Sequence, residues 1–160
     1  KTIEVMNTDA EGRLIMADAL AFASESKPDI ICDVATLTGA AYVALGVEIG
    51  AVFSNNKVTL ESFLSSNNDG FENYHSLPLE QRYKSLIKSN IADMKNSGGR
   101  FGGAITAALL LEEFVDDLNW VHLDIAGPAR SRSSNSIYPE GGTGFGVLGY
   151  FNFLTNEANC

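Results

Sequence analysis

The sequence has few basic residues, few cysteines and no long hydrophobic run. Its 11 basic and 20 acidic side chains give a net charge of −9 with the two histidines neutral. Phosphate backbones are bound by basic patches, so this charge argues against DNA or RNA as the main ligand. No apolar run approaches the roughly 18 residues that a membrane-spanning helix needs, and no signal-peptide pattern is visible. We therefore expect neither a nucleic-acid partner nor a membrane partner.

Cysteine is also scarce. Cys32 lies inside an apolar run, and Cys160 is the last residue. A disulfide framework would need more cysteines in a chain of this size. The content predicts a reducing compartment, the cytoplasm, with Cys32 as a small buried apolar side chain.

The remaining composition is that of a folded chain. Of the 160 residues, 45% are hydrophobic and 19% are charged. That is enough apolar material for one domain with a core, and too much for a disordered chain. The chain starts at Lys1 in what reads as a strand already under way, without an initiator methionine. We therefore expect it to be part of a longer protein.

Strand-like and helix-like segments alternate along the chain. Period-2 and β-branched runs predict strands over 2–6, 29–36, 47–54 and 120–126. Helical spacing predicts helices over 12–26, 40–45, 58–66, 79–88, 104–114 and 145–157. This order predicts an α/β fold of three layers, αβα, with a mixed, mostly parallel central sheet. The run over 29–36 is typical of a strand buried on both faces, and the helix over 104–114 is apolar nearly all round.

The densest polar cluster is Asn-Thr-Asp-Ala-Glu-Gly-Arg, residues 7–13, between the first strand and the first helix. Asp9 and Glu11 carry carboxylates that suit Mg, Mn or Zn, and the planar guanidinium of Arg13 could hold an anion beside a metal. Thr8 and Glu11 also match a capping box, in which Glu11 would bind the Thr8 amide. Spacing alone favours the cap, although Gly12 in the first turn weakens it.

Residues 7–14, Asn-Thr-Asp-Ala-Glu-Gly-Arg-Leu, resemble the signature of the leucyl (cytosol) aminopeptidase family of dinuclear metallopeptidases. Four later stretches agree in order. They are 33–40 (Asp-Val-Ala-Thr-Leu-Thr-Gly-Ala), 92–93 with 96–100 (Ala-Asp and Asn-Ser-Gly-Gly-Arg), 122–127 (His-Leu-Asp-Ile-Ala-Gly) and 142–146 (Gly-Thr-Gly-Phe-Gly). The resemblance covers essentially the whole chain.

The resemblance implies roles for residues near the signature. Asp9 resembles the aspartate that binds one metal through its carboxylate and backbone carbonyl. Glu11 resembles the carboxylate that bridges both metals. Arg13 resembles the arginine that holds bicarbonate, the general base.

Further residues resemble those of the family's substrate site. Thr36, Leu37 and Gly39 resemble residues that line it, largely through backbone contacts. Ala126 and Ala129 align with positions that wall the pocket for the first side chain, although Ala129 is not the residue found in relatives.

The resemblance implies a metal-dependent aminopeptidase that removes leucine-like N-terminal residues from peptides. Its cofactors would be two divalent metal ions, Mn or Zn with Mg or Co as alternatives, and bicarbonate. The metals would polarise the scissile carbonyl and activate a bridging water. The family also implies a cytoplasmic homo-hexamer.

One departure limits the expectation. The family uses a lysine and two aspartates as further metal ligands, and a second lysine as electrophile, all upstream of the signature. This chain begins six residues before the signature. We therefore expect residues 1–160 to be the C-terminal portion of the catalytic domain and to be inactive alone. The rival hypothesis is a non-catalytic α/β binding module that keeps the fold and the capping box.

Other motifs favour structural roles. The glycines at 98–103 and 142–146 fit tight turns better than phosphate binding, since no Walker loop follows. His122 and Asp124 share a strand face and read as a structural pair, because no third ligand accompanies them. His75 lies in a polar segment and is expected at the surface.

Overall fold

A computed structural model describes residues 1–68, 70–134 and 137–158 of the chain. The helices are α1 (Gly12–Glu25), α2 (Gly39–Leu45), α3 (Lys57–Ser66), α4 (Gly103–Glu112) and α5 (Val147–Glu157). The strands are β1 (Ile3–Glu4), β2 (Ile30–Ala35), β3 (Ile49–Ser54), β4 (Asn73–Ser76), β5 (Met94–Lys95), β6 (Asn119–Asp124), β7 (Arg130–Ser131) and β8 (Gly141–Gly142). Two 3₁₀ helices span Thr8–Ala10 and Gln81–Ile87.

The main sheet has four strands in the order β2-β6-β3-β4. β2 runs parallel to β6, β3 runs antiparallel to β6, and β4 runs parallel to β3. Two small pairs stand apart: β1 is parallel to β5, and β7 is antiparallel to β8. The predicted mixed, mostly parallel sheet is confirmed.

Helices cover both faces of this sheet. Phe53 of β3 and Trp120 of β6 join the core formed with α1, α2 and α4. Val52, Val121 and Leu123, one residue out of phase, join a second core with α3 and α5. Because side chains alternate along a strand, these two strands supply both cores at once. The predicted αβα layering is confirmed.

Helix α4 is the most buried of the described helices, as its sequence predicts. Every residue from 106 to 111 is buried, and Leu109, Leu110 and Leu111 are fully inaccessible to solvent. This helix packs against α1 and α2, and so fixes the position of the elements that carry the polar cluster.

Several predictions about local structure are wrong. β2 is an edge strand within the described sheet, with only Ile31 buried and Val34 44% exposed, so it is not buried on both faces. The helix predicted over 79–88 is the 3₁₀ helix Gln81–Ile87. The strand predicted over 2–6 is paired only at Ile3 and Glu4.

Of the two histidines, His122 has a structural role and His75 lies at the surface. His122 is fully buried, stacked between Phe53 and Trp120, and its Nδ1 pairs with Asp33 Oδ1 at 2.5 Å. Its role is therefore structural, although its partner is not Asp124. His75 is exposed, as expected.

Cys32 is half-buried and not fully buried, and burial raises the pKa of its thiol to about 12. Cys160 lies outside the described residues. Within the part of the chain that the structure describes, no helix is both long and apolar enough to span a bilayer.

Candidate active site

The segment 7–13 contains the 3₁₀ helix Thr8–Ala10 and the start of α1, with only Glu11 between them. Asn7 caps this turn, because its side chain accepts a hydrogen bond from the Asp9 amide at 3.0 Å. Glu11 already has helical dihedral angles (φ −70°, ψ −32°), and its side chain makes no capping bond. Thr8 lies inside the turn and so cannot be the N-cap of α1. The capping-box hypothesis is wrong.

Without a capping box, the carboxylates of Asp9 and Glu11 have no structural role among the described residues. Asp9 and Glu11 are both exposed. Neither carboxylate has a hydrogen bond or an ion pair to any other described residue. Both are hard oxygen donors free to bind something from outside the chain.

Arg13 stands next to this pair as a half-buried cation. Its Nη1 donates to the backbone carbonyl of Asn96 at 2.8 Å. Its Nε is buried and has no hydrogen-bond partner among the described residues. Burial lowers the pKa of the guanidinium, and the charge of Asp124 opposes that shift. Arginine stays protonated in proteins, so the site holds a positive charge with an unused donor, which fits an anion.

Asp124, at the end of β6, fixes the neighbouring loops. Ala35 of β2 is in register with Asp124, so the turn that follows β2 begins beside its carboxylate. Oδ1 accepts from the amides of Leu37 at 3.0 Å, Thr38 at 3.3 Å and Ala126 at 3.2 Å. Oδ2 accepts from the Thr38 hydroxyl at 2.6 Å. One buried side chain thus holds two segments that the sequence predicts for the substrate site.

Replacing Asp124 by asparagine tests this arrangement. We expect Asp124→Asn to lower the free energy of unfolding by about 2 kcal/mol. The amide nitrogen cannot accept the hydrogen bond that the Thr38 hydroxyl donates, and the remaining acceptor no longer carries a charge. Urea denaturation of both proteins measures the difference. Asp18→Asn, at an exposed position on α1, is the control and should stay within about 0.5 kcal/mol. A loss in Asp124→Asn no larger than that would contradict the arrangement.

An open cleft of about 500 Å³ brings three of the predicted site residues together: Glu11, Thr36 and Leu37. The other lining residues are mostly apolar and come from α1, β2, the residue after β6 and the segment before α5; they include Ile15, Met16, Val34, Ile125 and Phe145. Asp9, Arg13, Gly39 and Ala126 are not part of the lining. Gly39 begins α2, and Ala126 is tied to Leu37 through Asp124.

Sequence reasoning missed what supports the site. The sequence pattern predicts Asp124 as a partner of His122 and places Asn96 only within a glycine-rich stretch. Each is a buried polar residue. Apart from the Ala126 amide, which also binds Asp124, their partners are 83 or more residues away in sequence, so no local pattern reveals them.

The described residues supply only part of a metal site. Among them, no group of three or more His, Cys, Asp or Glu side chains is placed to hold a metal ion. Asp9 and Glu11 fit as two oxygen ligands, and a complete site needs further donors.

Comparison with known proteins gives the same family throughout. A profile of the cytosol aminopeptidase family, catalytic domain, matches residues 1–149. A protein of Synechococcus sp. (strain CC9902), named "Probable cytosol aminopeptidase", is 51% identical over 158 residues, which cover 98% of this chain and 32% of that protein. A protein of Syntrophotalea carbinolica with the same name is 49% identical over 98% of this chain and 32% of its own length. The chain spans about a third of the length of these relatives.

Solved structures agree with the fold. A tomato leucine aminopeptidase mutant superimposes with a TM-score of 0.90 at 42% identity, covering 98% of this chain and 30% of that one. The bottromycin maturation enzyme BotP, in complex with Mn, superimposes with a TM-score of 0.91 at 38% identity, covering 98% of this chain and 35% of that one.

Proposed function

Since this chain belongs to the cytosol aminopeptidase family, we propose that it is the C-terminal portion of a dinuclear metallo-aminopeptidase catalytic domain. The full-length parent would release leucine-like N-terminal residues from peptides. One observation carries this proposal. The carboxylates of Asp9 and Glu11 are exposed and unpaired among the described residues, directly before an arginine that has an unused buried donor.

We assign the metal ligands on that observation. Asp9 and Glu11 would supply oxygen ligands to the ions, and the upstream lysine and aspartates that the resemblance implies for the parent would complete the set. Two bound divalent cations would supply polarisation of the scissile carbonyl and a lowered pKa of a bridging water. The complex of BotP with Mn supports manganese. Zinc, magnesium and cobalt remain alternatives, because oxygen ligands accept all of these ions.

Arg13 is assigned to bicarbonate, the proposed general base. Its Nη1 is occupied by Asn96, which orients the guanidinium plane, and its Nε is left free for an anion. The half-buried position strengthens the attraction, since charges interact more strongly away from bulk water. Arg13 would also place a positive charge near the developing oxyanion.

The substrate would lie along the cleft. Thr36 and Leu37 line it, and Gly39 and Ala126 adjoin it through the loops that Asp124 holds. The apolar lining residues, Ile15 and Phe145 among them, favour a leucine-like side chain over a charged one.

The proposal extends to assembly and location. We propose a cytoplasmic homo-hexamer that acts on peptides, as the family implies. Large apolar side chains are exposed on the outer helices, with Phe22 of α1 76% exposed and Phe151 of α5 65% exposed. Such side chains support contact with the rest of the parent or with other subunits. The rival hypothesis, a non-catalytic binding module that keeps the fold, loses the capping box as the role of Thr8 and Glu11. A count of metal ions bound by the full-length parent separates the two hypotheses.

The isolated 160-residue chain is expected to be inactive. Asp9 and Glu11 alone cannot complete two metal sites, so the purified chain with Mn²⁺ should not hydrolyse a leucyl chromogenic substrate above the blank. The full-length parent, assayed in parallel, should turn it over. Turnover by the isolated chain that disappears in Glu11→Ala, and so does not come from a contaminating enzyme, would refute this expectation.

A further inference from the structure

The side chain of Asn96 is fully buried and binds the backbone on both sides of the polar turn. Its Oδ1 accepts from the amides of Met6 at 2.9 Å and Asn7 at 3.2 Å. Its Nδ2 donates to the carbonyls of Asn7 at 2.7 Å and Ala10 at 3.5 Å. The amide group of one asparagine thus serves three residues of the segment that carries Asp9.

The backbone of Asn96 binds the same region. Its N–H donates to the Glu4 carbonyl at 2.9 Å, just after the β1–β5 pair. Its carbonyl accepts from Arg13 Nη1 at 2.8 Å. Every polar group of Asn96 therefore makes a hydrogen bond to a residue within 4–13. A primary amide offers an acceptor and two donors at one short side chain, which no carboxylate or hydroxyl does.

Little else holds the turn in place. β1 contributes only two paired residues, and Ala10 is the one buried residue of the 3₁₀ helix. Met6 is 60% exposed, and Asn7, Thr8 and Asp9 are exposed as well. Glu11 is held by α1, since two amides of its first turn donate to the Glu11 carbonyl. Apolar packing does not fix the turn that carries Asp9 ahead of this helix, and the hydrogen bonds of Asn96 hold that turn in place.

We propose that Asn96 is a positioning residue for the site: it sets the placement of Asp9, Glu11 and Arg13 relative to one another. The consequence for metal binding rests on the proposed function. Residues that orient metal ligands from outside the coordination sphere typically change metal affinity by about 10- to 100-fold when they are removed.

The test compares Asn96→Ala with a matched control in the full-length parent. Asn67 is also a buried asparagine, and its Nδ2 donates to the carbonyls of Phe63 at 2.9 Å and Gly149 at 3.2 Å in the opposite helical layer. Calorimetric titration with Mn²⁺ gives the affinity, and metal analysis after dialysis gives the number of ions bound per chain. We expect Asn96→Ala to weaken Mn²⁺ binding by about 10-fold or more, and Asn67→Ala to leave it unchanged.

Amide hydrogen exchange supplies a second measurement, and its first part uses the wild-type protein alone. In the metal-free wild-type protein, the Met6 and Asn7 amides should exchange slowly although both residues are exposed. This protection should be lost in Asn96→Ala and kept in Asn67→Ala. Fast exchange of both amides in the wild type would overturn the proposal even if Asn96→Ala fails to fold.

The outcomes separate this proposal from the proposed function. If Asn96→Ala binds Mn²⁺ as tightly as the wild type while Glu11→Ala does not, the positioning role is wrong and the metal site stands. If Glu11→Ala also binds two Mn²⁺ ions normally, the proposed function is wrong, and amide exchange alone then decides the role of Asn96.

Discussion

Replacing Glu11 by alanine in the full-length parent is expected to abolish peptidase activity and to lower bound metal below two ions per chain. Glu11 makes no capping bond, so the change costs the fold little. A carboxylate that would hold the metal ions is removed, and the ions would supply the polarisation of the scissile carbonyl and the activated water. We expect kcat to fall by about 10³-fold or more, because the protein would no longer retain the full set of ions on which the reaction depends.

The control is Glu25→Ala. Glu25 is an exposed glutamate at the last position of the same helix, α1. It should keep activity and both metal ions. Metal analysis after dialysis and turnover of a leucyl substrate measure the two effects. A Glu11→Ala protein that retained both would contradict the assignment of this residue.

Among the substitutions considered, Gly127→Ala is expected to lower the free energy of unfolding the most. An added Cβ would lie 1.9 Å from the backbone carbonyl oxygen of Gly46, far inside van der Waals contact. That atom belongs to the turn after α2 and cannot rotate away as a side chain could. Overpacking against side chains costs about 1–3 kcal/mol, and a clash with backbone should cost more than about 3 kcal/mol. Relief of this clash would also displace the neighbouring residue Ala126, which lies next to the proposed substrate site.

Gly142→Ala is the matched control for this clash. A Cβ at Gly142 meets nothing within 4 Å, and its φ lies outside the left-handed range. Its urea midpoint should be close to that of the wild type, whereas Gly127→Ala should fail to accumulate in soluble form or should unfold at much lower urea. Equal midpoints for the two variants would show that the 126–128 turn is not packed as described.

The long elements could be predicted from the sequence because their patterns repeat. α1 shows helical spacing over four turns and stops before Pro28. α4 is apolar apart from Thr106 and its last residue, Glu112. In β6, Trp120, Val121 and Leu123 form a mostly apolar run that ends at Asp124. For these segments, local propensity and burial point to the same structure.

Short and polar elements could not be predicted. β4 reads Asn-Tyr-His-Ser, and β5 has two residues, so neither has a period to detect. Both exist because a neighbouring strand pairs with them. The edge position of β2 depends likewise on sheet order, which the β-branched run does not encode.

The sequence indicated which residues to propose for the candidate site, and it did not indicate the residues that hold them in place. The resemblance pointed to Asp9, Glu11 and Arg13, and spacing alone favoured a cap at Thr8 that does not form. A 3₁₀ turn before α1 decides this point, and that turn depends on Asn96, 83 residues beyond Arg13. Asp124 supports Leu37 and Thr38 from 86–87 residues away. Contacts at such separations follow from the fold and cannot be inferred from local spacing.

The most direct test of the central claim is anomalous diffraction from crystals of the full-length parent loaded with Mn²⁺. The account predicts two manganese peaks at the mouth of the cleft, with carboxylate oxygens of Asp9 and Glu11 in the coordination sphere and Glu11 shared between both ions. Manganese bound elsewhere, with the carboxylates of Asp9 and Glu11 left in solvent, would contradict it.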